Sequence, residues 1–309
     1  MSSITSQLMQ RGLIQPPSFL RTNVMYETLM GSTAYGVATD ASDQDVIGFC
    51  IPPKLDLFPH LAGEIAGFGT PGKRFEQFQD AHIQDPDRAD QEWDLSIYSI
   101  TRYLTLCMEC NPNIIDSLFT PQDCVVHITR VGSMVRDQRR LFLHKGCWQR
   151  FKGYAMSTMH KMRTKSPIGN RRKLVEQFGF DVKYAYHVVR LLDECEQILR
   201  EGDLDLRRSC EHLRAIRQGN VSEQEIQRWA ADKEQELERL YHRTRLPETA
   251  DEERIRRLLL ECLEEHYGRL DDCVVDKNAA VRKLREIHKL LEQSRDLWDN
   301  SPGGSPVSD

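Results

Sequence analysis

The chain has 309 residues, 39% hydrophobic and 29% charged, with a formal net charge of −5, which is enough apolar material for a sizeable core and excludes wholesale disorder. Its mean hydropathy is −0.55, and with no apolar run of roughly 18 residues it offers no membrane span. Collagen, fibre, membrane and secreted disulfide classes are excluded; the opening Met1-Ser-Ser-Ile-Thr-Ser lacks the basic and apolar regions of a secretory signal, so a reducing cytoplasmic compartment is expected.

Short β-like runs and turn signals alternate up to about residue 125. Asn23–Leu29 is a short element running into Gly31-Ser32. Asp45–Ile51 is apolar, partly β-branched and stopped by Pro52-Pro53, which cannot continue a central strand. The Gly-, Asp- and Gln-rich stretch Leu61–Asp90 predicts a loop or a weak hairpin. Glu92–Tyr98 then alternates with period two: Trp93, Leu95 and Ile97 share one face, and Glu92, Asp94, Ser96 and Tyr98 the other. That pattern predicts a half-buried strand with an acidic working face. Helices are predicted over Ile100–Glu109 and Pro112–Phe119. The first carries Cys107-x-x-Cys110, the one such pair among nine cysteines; no second pair follows at zinc-ribbon spacing, so free thiols are expected.

From about residue 128 the pattern is helical. Residues 131–190 carry a net charge of +11, whereas 1–130 and 191–309 each carry −8. Such a segment reads either as solvated helix faces or as a contact for the phosphates of a nucleotide or nucleic acid. The run Lys161–Lys173 holds six cations around a Pro-Gly break and predicts a flexible loop. Ser222 and Glu225 form a capping box opening a helix through about Arg243. Further helices are predicted over Glu252–Tyr267 and Lys277–Trp298, followed by a disordered tail at 301–309.

The chemistry concentrates in Gly31-Ser-Thr-Ala-Tyr-Gly36 and Ser42-Asp-Gln-Asp-Val-Ile-Gly48. Gly31 lets the backbone approach a bulky anion, Ser32 adds a hydroxyl donor, and a helix starting there adds its positive end. Asp43 and Asp45 at the head of a strand project to one side and suit divalent cations; Asp94 can complete a three-carboxylate cluster. Hard oxygen ligands of this kind favour Mg²⁺ or Mn²⁺. There is no H-E-x-x-H, G-x-S-x-G or Walker-type motif to support zinc hydrolysis, acyl transfer or a P-loop NTPase.

These motifs resemble the DNA polymerase beta nucleotidyltransferase superfamily, whose signature is Gly-Ser, a spacer, D-x-D and a distant third carboxylate. More closely, the chain resembles the predicted nucleotidyltransferases of the RNA repair pathway DNA polymerase beta family. The matching stretches are the two above with Asn111-Pro-Asn-Ile-Ile115, Lys152-Gly-Tyr154 and Gly179-Phe-Asp-Val-Lys-Tyr-Ala-Tyr-His-Val-Val-Arg-Leu-Leu192. The resemblance implies an α+β fold: a nucleotidyltransferase palm over 1–130 (a mixed β-sheet with flanking helices), then an all-helical domain over 131–300. It implies a nucleoside triphosphate substrate with Mg²⁺ or Mn²⁺. Asp43, Asp45 and Asp94 would be metal ligands, with Glu92 as a fallback for the third, and Gly31 with Ser32 the triphosphate grip. The chain departs from the family at Asp116, where a glutamate is preferred.

Within the basic segment, Lys183, His187 and Arg190 are spaced i, i+4 and i+7 and line one helix face. This stripe is either a phosphate-binding surface or an ion-pair row against acidic residues of the palm. The aromatics Trp148, Phe151, Tyr154, Tyr184 and Tyr186 are either core or base-stacking platforms. The expected reaction is transfer of a nucleoside monophosphate to a hydroxyl acceptor, with an RNA end favoured. A protein or small-molecule acceptor, or a non-catalytic nucleotide- or RNA-binding regulator, is the alternative. The C-terminal helices are a possible route to self-association.

Overall fold

The computed structural model describes residues 2–39, 42–58, 74–86, 92–164, 169–268 and 279–299. These form a large unit, Met1–Pro53 with Phe75–Gly268, and a small one, Lys54–Arg74 with Arg269–Asp309. The expected tail at 301–309 lies outside the described residues, as does most of 61–90 apart from its final strand. Among the described residues no helix is long and apolar enough to cross a membrane.

The large unit has an α+β core, a mixed sheet in the order β3-β4-β2-β1-β5. Its strands are β1 (Val24–Leu29), β2 (Gln44–Cys50), β3 (Gln77–Gln84), β4 (Glu92–Ser99) and β5 (Val125–Ile128). β2 and β4 run parallel, and the other three pairs are antiparallel. The period-two pattern of 92–98 is realised: Leu95 and Ile97 are buried, and Trp93 packs partly buried against the same core. That core also holds Val24, Val46 and Cys50 from the sheet, and Leu8, Ile14 and Leu20 from the N-terminal segment.

Helix α1 (Ile4–Gln10), which no sequence pattern announced, is fixed to this face by a buried carboxylate. Glu27 on β1 accepts the N–H groups of Ile4 at 2.6 Å and Thr5 at 3.0 Å, two donors that a helix start leaves unmet. Burial raises the Glu27 carboxyl above its ordinary range, and these hydrogen bonds oppose the shift.

The other face is covered by α4 (Ile100–Met108) and α5 (Pro112–Phe119). The rings of Tyr26, Phe49 and Tyr103 follow one another at 6.0 and 4.8 Å. Tyr26 donates to the Ser117 carbonyl at 2.6 Å, tying α5 to β1. A further helix, α6 (Arg130–Asp137), comes so close to β1 that a Cβ on Gly132 would meet the Met25 carbonyl oxygen at 2.4 Å.

Helices α7 (Cys147–Thr164), α8 (Asn170–Phe178), α9 (Val182–Glu201), α10 (Cys210–Arg217), α11 (Glu223–Arg243) and α12 (Glu252–Tyr267) complete the unit. α9 is central and packs against α7, α8, α10 and α11. It is buried along most of its length, as a helix surrounded by others must be. The capping box at Ser222 and Glu225 is formed as expected.

The loop expected over 161–173 is corrected. α7 runs through 161–164 and α8 takes up 170–173, so only 165–168 stand outside the described residues. The cations there are carried by good helix formers, and the Pro-Gly signal acts only between the helices. Trp148, Phe151 and Tyr186 are core residues, whereas Tyr154 is exposed. The thiols of Cys107 and Cys110 are free and buried. In the small unit the described helices are the short α3 (Lys54–Leu57) and the long α13 (Ala279–Asp299), whose Leu284, Ile287, Leu290 and Leu291 are exposed.

Candidate active site

The parallel pairing of β2 with β4 assembles the acidic pair. Asp45 is the register partner of Asp94, and both stand on the face opposite Val46 and Leu95. Asp43 is exposed just ahead of β2. After β1, the Met30 N–H donates to the Asp45 carbonyl at 2.7 Å, and the chain turns into the single helical turn α2 (Gly31–Ala34).

Gly31 has φ +60, and a Cβ there would meet Asp45 Oδ2 at 1.9 Å. Glycine is therefore required both by the backbone conformation and by the carboxylate lying against it. The Val37 N–H closes the turn onto the Ser32 carbonyl at 2.9 Å. The amides of Gly31 and Ser32 belong to a first helical turn and have no intrahelical acceptor.

All eight residues singled out as site candidates line one cavity of about 670 Å³: Gly31, Ser32, Asp43, Asp45, Asp94, Lys183, His187 and Arg190. That volume lies within the usual range for a ligand pocket. The cavity is electrically polar. At one side burial, reinforced by the Asp94 charge, raises the Asp45 carboxyl to about 6; Lys183 opposes the shift and Asp43 adds to it. At the other, burial and then the cations Arg190, Lys183, Arg171 and Arg217 hold His187 well below its ordinary value, so its imidazole is neutral. A buried carboxylate beside a second one, supplying hard oxygen donors, fits a divalent cation; Lys183 and Arg217 beside a neutral imidazole in the cavity wall fit a polyanion.

The α9 stripe runs from solvent to core. Asp181 caps the helix, accepting the Lys183 and Tyr184 N–H groups at 2.9 and 3.1 Å. Lys183 is exposed and His187 half-buried, while Arg190 is only 4% exposed. The Arg190 guanidinium pairs with Asp116 and reaches Glu194 at 3.0 Å and the Tyr35 hydroxyl at 2.8 Å. The innermost member of the stripe is thus an ion-pair anchor that also reaches the cavity wall, and its outer members line the cavity. Burial raises the carboxyls of Asp116 and Glu194, and Arg190 opposes this in both.

Sequence reasoning missed Tyr35, Asn113 and Arg217, which also line the cavity. Tyr35 lies inside the Gly31–Gly36 motif, in view without a role; Tyr186, weighed as core or stacking platform, is buried and also reaches the cavity wall. Arg217 had no local signal. From α10 it donates to the Val37 carbonyl at 2.7 Å, while Arg214 donates to that of Gly36 at 2.8 Å. Glu92, on the same strand face as Asp94, pairs with His82 instead of lining the cavity.

A model of the RNA repair pathway DNA polymerase beta family matches residues 9–272 of the chain. No curated protein matches it. Among solved structures, a nucleotidyltransferase-like protein from Exiguobacterium sibiricum 255-15 is similar at 10% identity, covering 84% of this chain and 73% of that one with a TM-score of 0.28.

Proposed function

Because the chain belongs to the RNA repair pathway DNA polymerase beta family, we propose that it moves a nucleoside monophosphate from a nucleoside triphosphate to a hydroxyl acceptor, with an RNA end as the favoured acceptor. The acceptor oxygen forms a bond to the α-phosphorus, the bond from that phosphorus to the α–β bridging oxygen breaks, and pyrophosphate leaves. The observation that carries this reading is the register pairing of Asp45 with Asp94 beside Gly31, in a cavity whose other side is cationic.

Asp43, Asp45 and Asp94 would hold Mg²⁺ or Mn²⁺. A metal bound there supplies Lewis acidity toward the attacking and leaving oxygens. The chain's own groups do the rest. The Ser32 hydroxyl and the amides of the Gly31 turn grip the β- and γ-phosphates, and Lys183 adds a mobile positive charge. His187, neutral in the free protein, donates one N–H to a phosphate oxygen and gains proton affinity once that anion is bound. Arg190 acts as a positioning residue, holding Tyr35 beside the turn. Arg214 and Arg217 pin the far end of the turn, so that its amides stay aimed at one place.

The test is transfer of label from each nucleoside triphosphate, with Mg²⁺ or Mn²⁺, to an RNA oligonucleotide. Extended RNA is the expected product, and Asp43→Asn and Asp45→Asn are each expected to reduce it by at least ~10³-fold with the fold intact by circular dichroism. Label on protein or small molecules would move the acceptor to those classes. Nucleotide binding without pyrophosphate release would make the chain a regulator. Full activity in either variant would refute the metal assignment.

A further inference from the structure

The hairpin of β3 and β4 brings two side chains that the proposed transfer does not use, His82 and Glu92, against one that it does, Asp94. A register shift between Asp80 and Ile83 lets His82 adopt φ 58 and turn across toward β4. There the ligating atoms of His82, Glu92 and Asp94 all lie within 4.8 Å of one another. The His82 ring Nδ1 faces Glu92 Oε1. The second Glu92 oxygen accepts the Gln84 side-chain amide at 2.8 Å, and Asp94 Oδ1 accepts the His82 backbone N–H at 2.8 Å. One oxygen on each carboxylate is thereby oriented, that of Glu92 by Gln84 and that of Asp94 by the His82 backbone, as metal ligands commonly are. Glu92 and Asp94 are half-buried and His82 exposed, so the group is open to an ion arriving from solvent.

We propose that His82, Glu92 and Asp94 form a second cation site that takes a borderline transition-metal ion of the zinc class, and that filling it inhibits transfer by claiming Asp94. One imidazole nitrogen and two carboxylate oxygens are a donor set suited to zinc, with a fourth position left to water. Magnesium, which prefers oxygen and gives up its water reluctantly, is a poor competitor there. The donor atoms need contract only modestly to reach bonds of about 2.0–2.2 Å. Asp94 is the hinge of the device, since it also lines the cavity beside Asp45. A carboxylate drawn toward His82 is lost to the Asp45 side. The inhibition rests on the function proposed above; the binding does not.

Two measurements separate these. Zn²⁺ is titrated calorimetrically, in millimolar Mg²⁺, into tag-free full-length protein and into His82→Asn. Asparagine tolerates a positive φ, so this variant keeps the hairpin, and His82 is not part of the proposed catalytic set. One Zn²⁺ bound by the wild type, and affinity lower by about tenfold or more in His82→Asn, is expected; Glu92→Gln should weaken binding similarly. Equal affinity in wild type and His82→Asn overturns the site. In the label-transfer assay with Mg²⁺, added Zn²⁺ should inhibit the wild type and spare His82→Asn; equal inhibition of both overturns the regulatory role. A wild type that transfers no label refutes the proposed reaction instead, and the calorimetric comparison still decides the site.

Discussion

Asp45 shows what one residue gives up to be useful. Its carboxyl is raised to about 6, from an ordinary 3.8, by burial and by Asp94. The folded chain therefore holds that proton more tightly than the unfolded chain does. Ionising Asp45 costs the fold nothing below about pH 4, and the cost grows until it is complete above pH 6. Asparagine removes it. In metal-free buffer at pH 8, Asp45→Asn is expected to be more stable than the wild type by about 1–3 kcal/mol in urea unfolding, the gain shrinking away toward pH 4. A variant less stable at pH 8 would contradict the like-charge account. The arrangement admits little adjustment, because Gly31 cannot acquire a Cβ without displacing the same carboxylate.

At the scale of elements, α9 joins the sheet side of the large unit to its helices through Arg190. That guanidinium serves Asp116 on α5, Glu194 one turn further along α9, and Tyr35 just past the Gly31 turn. Arg190→Met leaves two buried carboxylates without their cation and is expected to cost ~3–5 kcal/mol in urea unfolding, with Lys recovering only part of it. A loss below about 1 kcal/mol would show that the network is not an anchor. The i, i+4, i+7 spacing made the shared face legible, but not the depth at which each residue lies, because depth is set by α7, α10 and α11 packing around α9. Likewise 92–98 announced a strand and its acidic face by alternation, whereas the pairing of Asp94 with Asp45 depended on a parallel register no local pattern encodes. α5 was legible to the residue, from Pro112 to Phe119; its Asn111 cap is added by the structure. α1 was not, since the partner of its first amides, Glu27, lies on a distant strand. Arg214 and Arg217 hold the turn from equally far along the chain, beyond the reach of any spacing rule.

Across the whole molecule, the basic segment is less basic in three dimensions than in sequence. Arg140 pairs with Asp203, Lys145 with Glu248 and Lys152 with Glu234, so acidic residues beyond 190 neutralise part of it. Lys173 and Lys183 remain exposed. Binding of a single-stranded RNA oligonucleotide should therefore weaken with salt as for ~3–4 phosphate contacts, a slope near −2 to −3 in log K against log salt. Fluorescence anisotropy across a KCl series measures it. A slope steeper than about −7 would mean that the whole segment meets RNA.

The side-by-side run of β2 and β4 also bears on how the molecule comes into being. Neighbouring strands of that orientation cannot be closed by a tight turn; the chain must leave and come back. A ribosome that has delivered Asp45 has delivered only half of the acidic pair, and the other half arrives only after β3. A polypeptide abandoned before residue 92 would hold the glycine bend and the first two carboxylates with nothing to complete them. Interrupted synthesis at that point thus yields a fragment without the Asp45–Asp94 pair, which forms only once the last central strand has arrived.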